Sequence, residues 1–93
     1  DMTADWCITC KVNEKAVFET DAFRELLKRT GTVYMVGDWT NQDVAISAFL
    51  DEYKAPGVPL YVVYPADGGP GVKLPQVLSL ELMRESLEAA AKK

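Results

Sequence analysis

Apolar and polar residues follow two different periods along the chain, and these periods predict a mixture of helices and strands. Helical spacing predicts four helices, at about residues 7–18, 22–29, 44–53 and 80–93. Runs rich in β-branched and aromatic residues predict strands at 1–4, 32–38, 60–64 and 72–74. This order favours an α/β fold in which helices flank both faces of a central mixed sheet, with a parallel start and an antiparallel hairpin at the end.

Several of these elements carry specific expectations. Residues 32–38 should form a buried central strand. The run from Thr40 to Asp43 resembles a capping box, and Ser79 should cap the last helix, whose negative end suits Lys92 and Lys93. The inward-facing residues should be Ile8, Val12, Ala16 and Val17 in the first helix and Leu80, Met83, Leu87 and Ala90 in the last.

Composition indicates one small globular domain over residues 1–93, with 48% hydrophobic and 26% charged residues. The net charge of −4 argues against partners such as nucleic acid and anionic membrane surfaces. No apolar run approaches the roughly 20 residues of a membrane span. Because a strand leading into residue 7 would normally begin earlier than Asp1, we expect the sequence to be a piece of a longer protein whose first elements lie upstream.

The chemistry concentrates in the two cysteines of the chain, Cys7 and Cys10, which lie between the first predicted strand and the first helix. A thiolate is the nucleophile of thiol–disulfide exchange, and the unpaired N–H groups at a helix N-terminus favour it at Cys7. Cys10 follows almost one turn later, close enough to attack a mixed disulfide formed at Cys7. The spacing therefore predicts reversible two-electron chemistry with Cys7 attacking and Cys10 resolving.

Other uses of a Cys-x-x-Cys pair remain to be weighed. A closed intrachain zinc site needs four cysteine or histidine ligands, and this chain has two cysteines and no histidine. A copper carrier typically has a methionine two residues before the first cysteine, whereas Met2 lies further upstream and Trp6 directly precedes Cys7. A static bridge across so short a loop would stabilise a domain little. The redox interpretation is favoured, with a metal carrier and a redox-inert binding module as alternatives, and no cofactor is implied.

The motif from Trp6 to Lys11 after a strand, together with Gly57-Val58-Pro59 before another strand, resembles the thioredoxin superfamily. The order of elements matches that of the superfamily over the whole chain, and the N-terminal strand and helix of the superfamily are missing from this fragment. It implies that Pro59 follows a cis peptide bond and lies against the active-site disulfide, beside its neighbour Val58.

Within this superfamily, the sequence resembles most the C-terminal periplasmic domain of DsbD-type thiol:disulfide interchange proteins. The similarity lies in residues 4–11, in Asn13-Glu14-Lys15 and in residues 38–43. It implies a protein-disulfide reductase domain of a larger inner-membrane protein, located in the periplasm. Its partners would be a membrane-embedded electron donor domain and a periplasmic acceptor. The fragment itself is expected to be monomeric.

Three further residues are candidates for roles around the pair. Asp1 occupies the position where thioredoxin-like proteins often keep a carboxylate near the cysteines, and Glu14 lies one turn after Cys10. A negative charge close to Cys7 would raise the pKa of its thiol, which would tend to make the pair more reducing. Trp6 is expected to form part of the surface that a partner contacts, because its neighbour Cys7 must be reachable.

Overall fold

The computed structural model describes residues 1–91, and the expectation for Lys92 and Lys93 lies outside these residues. Residues 1–91 contain four α-helices and four short strands, and a π-helical segment continues the first helix. In chain order they are β1 Met2–Thr3, α1 Ile8–Asn13, the π-helical segment Glu14–Phe18, α2 Asp21–Thr30, β2 Gly37–Asp38, α3 Val44–Glu52, β3 Val62–Val63, β4 Val72–Lys73 and α4 Leu80–Ala91. Among residues 1–91, none of the helices is both long enough and apolar enough to cross a bilayer.

The strands form a mixed arrangement with β1 at its centre. On one side β1 runs parallel to β2, with Met2 opposite Gly37 and Thr3 opposite Asp38. On the other side Met2 forms an antiparallel bridge with Leu60, just before β3. The β3 and β4 strands pair in an antiparallel hairpin, as the turn-rich sequence between them predicts. The predicted parallel start and antiparallel finish are therefore confirmed.

Helices pack on both faces of these strands, because side chains of a strand point alternately to its two sides. Leu60 and Val62 lie in a cluster with Leu50 of α3. Tyr61 and Val63 point to the opposite face, where they lie in the largest cluster of buried residues. That cluster is built on α2, α4 and the end of the π-helical segment, from Val17, Phe23, Leu26, Tyr61, Leu74, Leu78, Met83 and Leu87.

Helix boundaries follow local capping chemistry. The Thr20 hydroxyl accepts a hydrogen bond from the backbone N–H of Phe23 at the start of α2, and Gly31 ends that helix in the left-handed conformation that glycine adopts without strain. The predicted cap at Ser79 is confirmed, since its hydroxyl accepts from the N–H of Leu82. The capping box was placed one turn too early: Asp43 caps α3 through the N–H of Ala45.

The predicted inward stripe of the first helix is wrong at most positions. Ile8 is 81% exposed and Val12 is 58% exposed, and Ala16 is exposed as well. The buried residues are instead Cys10, Asn13 and Val17, which share one face at i, i+3 and i+7. The helix takes this rotation because the disulfide turns Cys10 inward and Asn13 is fully hydrogen-bonded, as described below. In α4, Met83 and Leu87 are buried as predicted, whereas Leu80 is exposed.

The prediction of a buried central strand at 32–38 is also wrong. Only Gly37 and Asp38 pair as a strand, and Val33, Met35 and Val36 are 83%, 75% and 54% exposed. Residues 32–36 have the composition of a strand, but a strand also requires a hydrogen-bonding neighbour. Within residues 1–91, β1 is the neighbour of this segment, and it reaches only Gly37 and Asp38.

Asn13 is the buried polar side chain that joins α1 to the rest of the fold. Its amide nitrogen donates to the Tyr61 hydroxyl at 2.8 Å and to the Gln76 carbonyl at 2.7 Å, and its amide oxygen accepts from the N–H of Leu78 at 3.1 Å. These bonds tie α1 to the segment at β3 and to the segment before α4. Asn13 can be 1% exposed because each polar atom of its side chain is satisfied.

We expect Asn13→Ala to lower the free energy of unfolding by about 1–3 kcal/mol, because the buried N–H of Leu78 would lose its acceptor. The measurement is urea unfolding of the oxidised protein followed by circular dichroism. Asn41→Ala, in the exposed loop before α3, serves as the control and should change the stability by no more than about 0.5 kcal/mol. Equal midpoints for the two variants would show that the Asn13 hydrogen bonds contribute no net stability.

Candidate redox site

The two cysteines form a disulfide at the start of α1, with their Cα atoms 5.2 Å apart. Cys7 is the N-cap residue of α1, and its sulfur accepts a hydrogen bond from the N–H of Cys10 at 3.2 Å. The predicted junction of strand and helix is thus confirmed. The same N–H points at the position where a Cys7 thiolate carries its charge, and such a hydrogen bond favours the charged form.

The two sulfurs differ in accessibility, although less than the sequence suggested. Cys7 is 7% exposed and Cys10 is 1% exposed, so both residues are largely covered. Cys10 lies inside the helix on the buried face that also carries Asn13. Cys7 is therefore the slightly more accessible residue of the two, and Cys10 is fully buried.

Ala4 and Val58 cover the pair from two other parts of the chain. Both cysteines form a small cluster with Ala4, and Val58 packs against it. The Val58–Pro59 peptide bond is cis, which confirms the expectation drawn from the resemblance, and Pro59 is buried. The contact of Val58 with the pair and the burial of Pro59 put the predicted Gly-Val-Pro segment beside the disulfide.

The side chain of Trp6, the residue before Cys7, is exposed at the surface. Its side chain is 52% exposed, and its indole N–H donates to the Thr40 carbonyl at 3.1 Å. The ring of Trp39 lies behind it, with 5.8 Å between the ring centroids. Trp39 itself is partly buried and donates from its indole N–H to the Ser47 hydroxyl at 2.8 Å. The contact with Trp39 and the bond to Thr40 hold the exposed ring in one orientation.

The two candidate carboxylates contact different partners. Glu14 accepts a hydrogen bond from the Thr3 hydroxyl at 2.8 Å and pairs with Lys11 at 3.5 Å. Asp1 accepts from the Tyr34 hydroxyl. Within residues 1–91, neither carboxylate is hydrogen-bonded to Cys7 or Cys10, so any influence on the thiols acts through space.

Tyr34 keeps its proton at neutral pH and can therefore donate to Asp1. Burial raises the pKa of its hydroxyl well above the ordinary value, and the neighbouring Tyr61 and Glu14 raise it further. Burial and the charge of Glu14 also raise the pKa of Tyr61, although the hydrogen bond from Asn13 acts in the opposite direction. The negative charge of Glu14 thus raises the pKa of both tyrosine hydroxyls.

Two residues that matter to this site were missed in the sequence. Asn13 appeared only as part of a motif, although its position three residues after Cys10 and four before Val17 places it on the face that these two residues bury. Thr40 was interpreted as part of a helix cap. Its contacts with the segment before Cys7 join residues far apart in the chain, so no local pattern marks them.

Comparison with known proteins agrees with this geometry. The model of the thioredoxin-like family matches residues 1–66, and the chain belongs to this family. The similarity within the family is to the DsbD type. Over 68 residues, which are 73% of this chain, it is 38% identical to the thiol:disulfide interchange protein DsbD of Pseudomonas sp. (strain JR1 / K1) and 34% identical to that of Klebsiella pneumoniae.

A solved structure extends the similarity to nearly the whole chain. The oxidised C-terminal domain of DsbD from Neisseria meningitidis superposes with a TM-score of 0.76 and 25% identity, covering 97% of this chain and 76% of that domain. The chain spans only 11% of the length of the two DsbD relatives. It is therefore similar to only a small part of such proteins.

We expect the carboxylates of Asp1 and Glu14 to hold the thiol pKa of Cys7 higher than the helix N-terminus alone would set it, because a nearby negative charge disfavours the thiolate. Asp1→Asn and Glu14→Gln should each shift the thiolate titration of the reduced protein to lower pH, because each removes a negative charge from the surroundings of Cys7. The measurement is thiolate absorbance against pH.

Glu25→Gln is the matched control, because it removes the same charge from an exposed position on α2. It should leave the Cys7 titration where it is. If the Asp1 and Glu14 variants titrate together with this control, the two carboxylates have no part in tuning the thiol.

Proposed function

We propose that this domain relays two electrons between protein partners by reversible dithiol–disulfide exchange, in the direction that reduces the acceptor. The observation that carries the proposal is the Cys7–Cys10 disulfide at the start of α1, with Cys7 the more accessible sulfur and Val58 packed against the pair. Cys-x-x-Cys at a helix N-terminus suits reversible exchange because the attacking sulfur is stabilised as a thiolate and the second sulfur is within reach.

In the reducing direction, the Cys7 thiolate attacks one sulfur of the acceptor disulfide. That disulfide breaks, its other sulfur leaves as a thiolate that takes up a proton, and a mixed disulfide joins Cys7 to the acceptor. The Cys10 sulfur, after losing its proton, then attacks Cys7. The Cys7–Cys10 bond forms as the mixed disulfide breaks, and the acceptor sulfur leaves as a thiolate that takes up a proton. The acceptor then carries two thiols, and two electrons have passed to it from the domain. A dithiol donor returns the domain to its reduced form by the reverse steps.

The surface around Cys7 favours a protein as the partner. Trp6, Ile8 and Val12 are 52%, 81% and 58% exposed on the helix and loop that carry the accessible sulfur. Exposed apolar side chains that lie together typically mark a surface that binds another protein. The rotation of α1 that leaves Ile8 and Val12 outside thus fits a domain that docks partners at this end.

The proposed setting is the periplasmic side of a larger inner-membrane protein. The relatives that carry the name thiol:disulfide interchange protein are much longer than this chain. A membrane-embedded domain would then be the electron donor and a periplasmic thiol–disulfide protein the acceptor.

We expect limited alkylation of the reduced protein to label Cys7 before Cys10, because Cys10 is shielded by the helix. The measurement is peptide mass mapping after brief exposure to iodoacetamide. Cys10→Ser should accumulate a mixed disulfide with an aromatic disulfide reagent, whereas Cys7→Ser should form it much more slowly. Faster labelling of Cys10 would reverse the assigned roles, and a disulfide that a dithiol buffer cannot reduce reversibly would favour an inert binding module.

A further inference from the structure

We propose that Thr40 is a positioning residue for the redox pair, which holds the segment leading into Cys7 and thereby sets how stable the Cys7–Cys10 disulfide is. The inference rests on the dithiol–disulfide function proposed above. Thr40 lies after β2, thirty residues from Cys10 and thirty-three from Cys7 in sequence, and within residues 1–91 no hydrogen bond joins it to either sulfur. Its effect is exerted through Asp5 and Trp6.

Thr40 binds two consecutive residues immediately before Cys7. Its hydroxyl oxygen accepts a hydrogen bond from the backbone N–H of Asp5 at 2.8 Å. Its carbonyl oxygen accepts from the indole N–H of Trp6 at 3.1 Å. One contact fixes the main chain and the other fixes the side chain, so the segment has little freedom to rotate.

Thr40 is itself fixed to the sheet through Asp38. The Asp38 carboxylate accepts from the Thr40 hydroxyl at 2.5 Å and from its backbone N–H at 2.9 Å. These two hydrogen bonds hold the pKa of Asp38 below its ordinary value, so the carboxylate is charged at neutral pH. Asp38 pairs with Thr3 across β1 and β2, and the N–H of Trp39 donates to the Thr3 carbonyl at 2.6 Å. The hydroxyl of Thr40 thus connects Asp5 to a charged acceptor in the sheet.

The segment bound by Thr40 is the turn that immediately precedes Cys7. The N–H of Cys7 donates to the Ala4 carbonyl at 3.2 Å, which closes a turn with Asp5 and Trp6 in its middle. Cys10 lies inside α1, which Asn13 binds to the rest of the fold. Cys7 is joined to the same helix as its N-cap residue, and the segment that precedes it is bound by Thr40. The position of the Cys7 sulfur relative to Cys10 therefore depends on α1 on one side and on the Thr40 contacts on the other.

When the two sulfurs are held close together, disulfide formation is favoured. Each thiol then has a high effective concentration relative to the other. When the attachment at Thr40 is loosened, the reduced form gains freedom that disulfide formation must then remove. Loss of the hydroxyl should therefore lower the equilibrium constant for disulfide formation. A typical hydrogen bond corresponds to a change of about three- to tenfold.

The experiment is a redox equilibrium between the protein and dithiothreitol, in which the domain disulfide is reduced to two thiols and dithiothreitol is oxidised to its cyclic disulfide. Thr40→Val removes the hydroxyl at nearly constant shape, and Thr40→Ser retains it. Thr30→Val is the matched control: its hydroxyl also bonds to backbone, at the Leu26 carbonyl 2.8 Å away, but in α2. Urea unfolding of the oxidised proteins runs in parallel.

We expect Thr40→Val to lower the equilibrium constant for disulfide formation about three- to tenfold, which converts to a potential about 14–30 mV less negative. Thr40→Ser should restore the constant to within about twofold of the unmodified protein. Thr30→Val should lose stability without moving the equilibrium, because a purely structural hydroxyl stabilises the oxidised and reduced forms alike.

Two outcomes would overturn the inference in different ways. If the unmodified protein equilibrates with dithiothreitol and Thr40→Val has the same equilibrium constant, Thr40 is not a positioning residue, although the proposed function stands. If the unmodified disulfide does not equilibrate with the dithiol at all, the proposed function fails and the inference falls with it.

Discussion

The site depends on β1 having a neighbour on each side. Met2 pairs with Gly37 on one side and with Leu60 on the other. Because β2 is parallel to β1, the residues that follow both strands emerge at the same end. Because Leu60 is antiparallel to β1, the residues that precede it reach that end too. The strands are short, so they contribute little stability themselves, but they bring the turn before Cys7, the loop at Thr40 and the segment at Pro59 together.

Polar contacts add to apolar packing in holding the helix that carries Cys10. Cys10 packs in a small cluster with Ala4 and Val58, and Asn13 on the same buried face makes three hydrogen bonds to other parts of the chain. Ile8 and Val12 lie on the exposed face. A buried amide left without partners would be costly, so the helix has one favourable rotation in which every bond is made. This rotation shields Cys10 and leaves the apolar side chains near Cys7 free to meet a partner.

Hydrogen bonds to two different parts of the chain hold the redox pair. Thr40 binds the segment before Cys7, and Asn13 binds the helix that contains Cys10. The disulfide can open and close with little rearrangement if Cys7 is held by the loop at Thr40 and Cys10 by α1. The carboxylates of Asp1 and Glu14 accept hydrogen bonds from the hydroxyls of Tyr34 and Thr3, which fix their orientation.

The sequence by itself determined the chemistry and the order of elements. Two cysteines at this spacing before a helix define a dithiol pair by local geometry alone, and Ser79 caps its helix through a neighbour three residues away. The tertiary structure decided which face each element buries. Ile8 and Val12 have the spacing of a core stripe but lie outside, and residues 32–36 have the composition of a strand but largely lack a pairing neighbour. The contacts of Asn13 and Thr40 join residues that are distant in sequence. The pattern of apolar and polar residues does not predict them, because they form only when separate segments pack together.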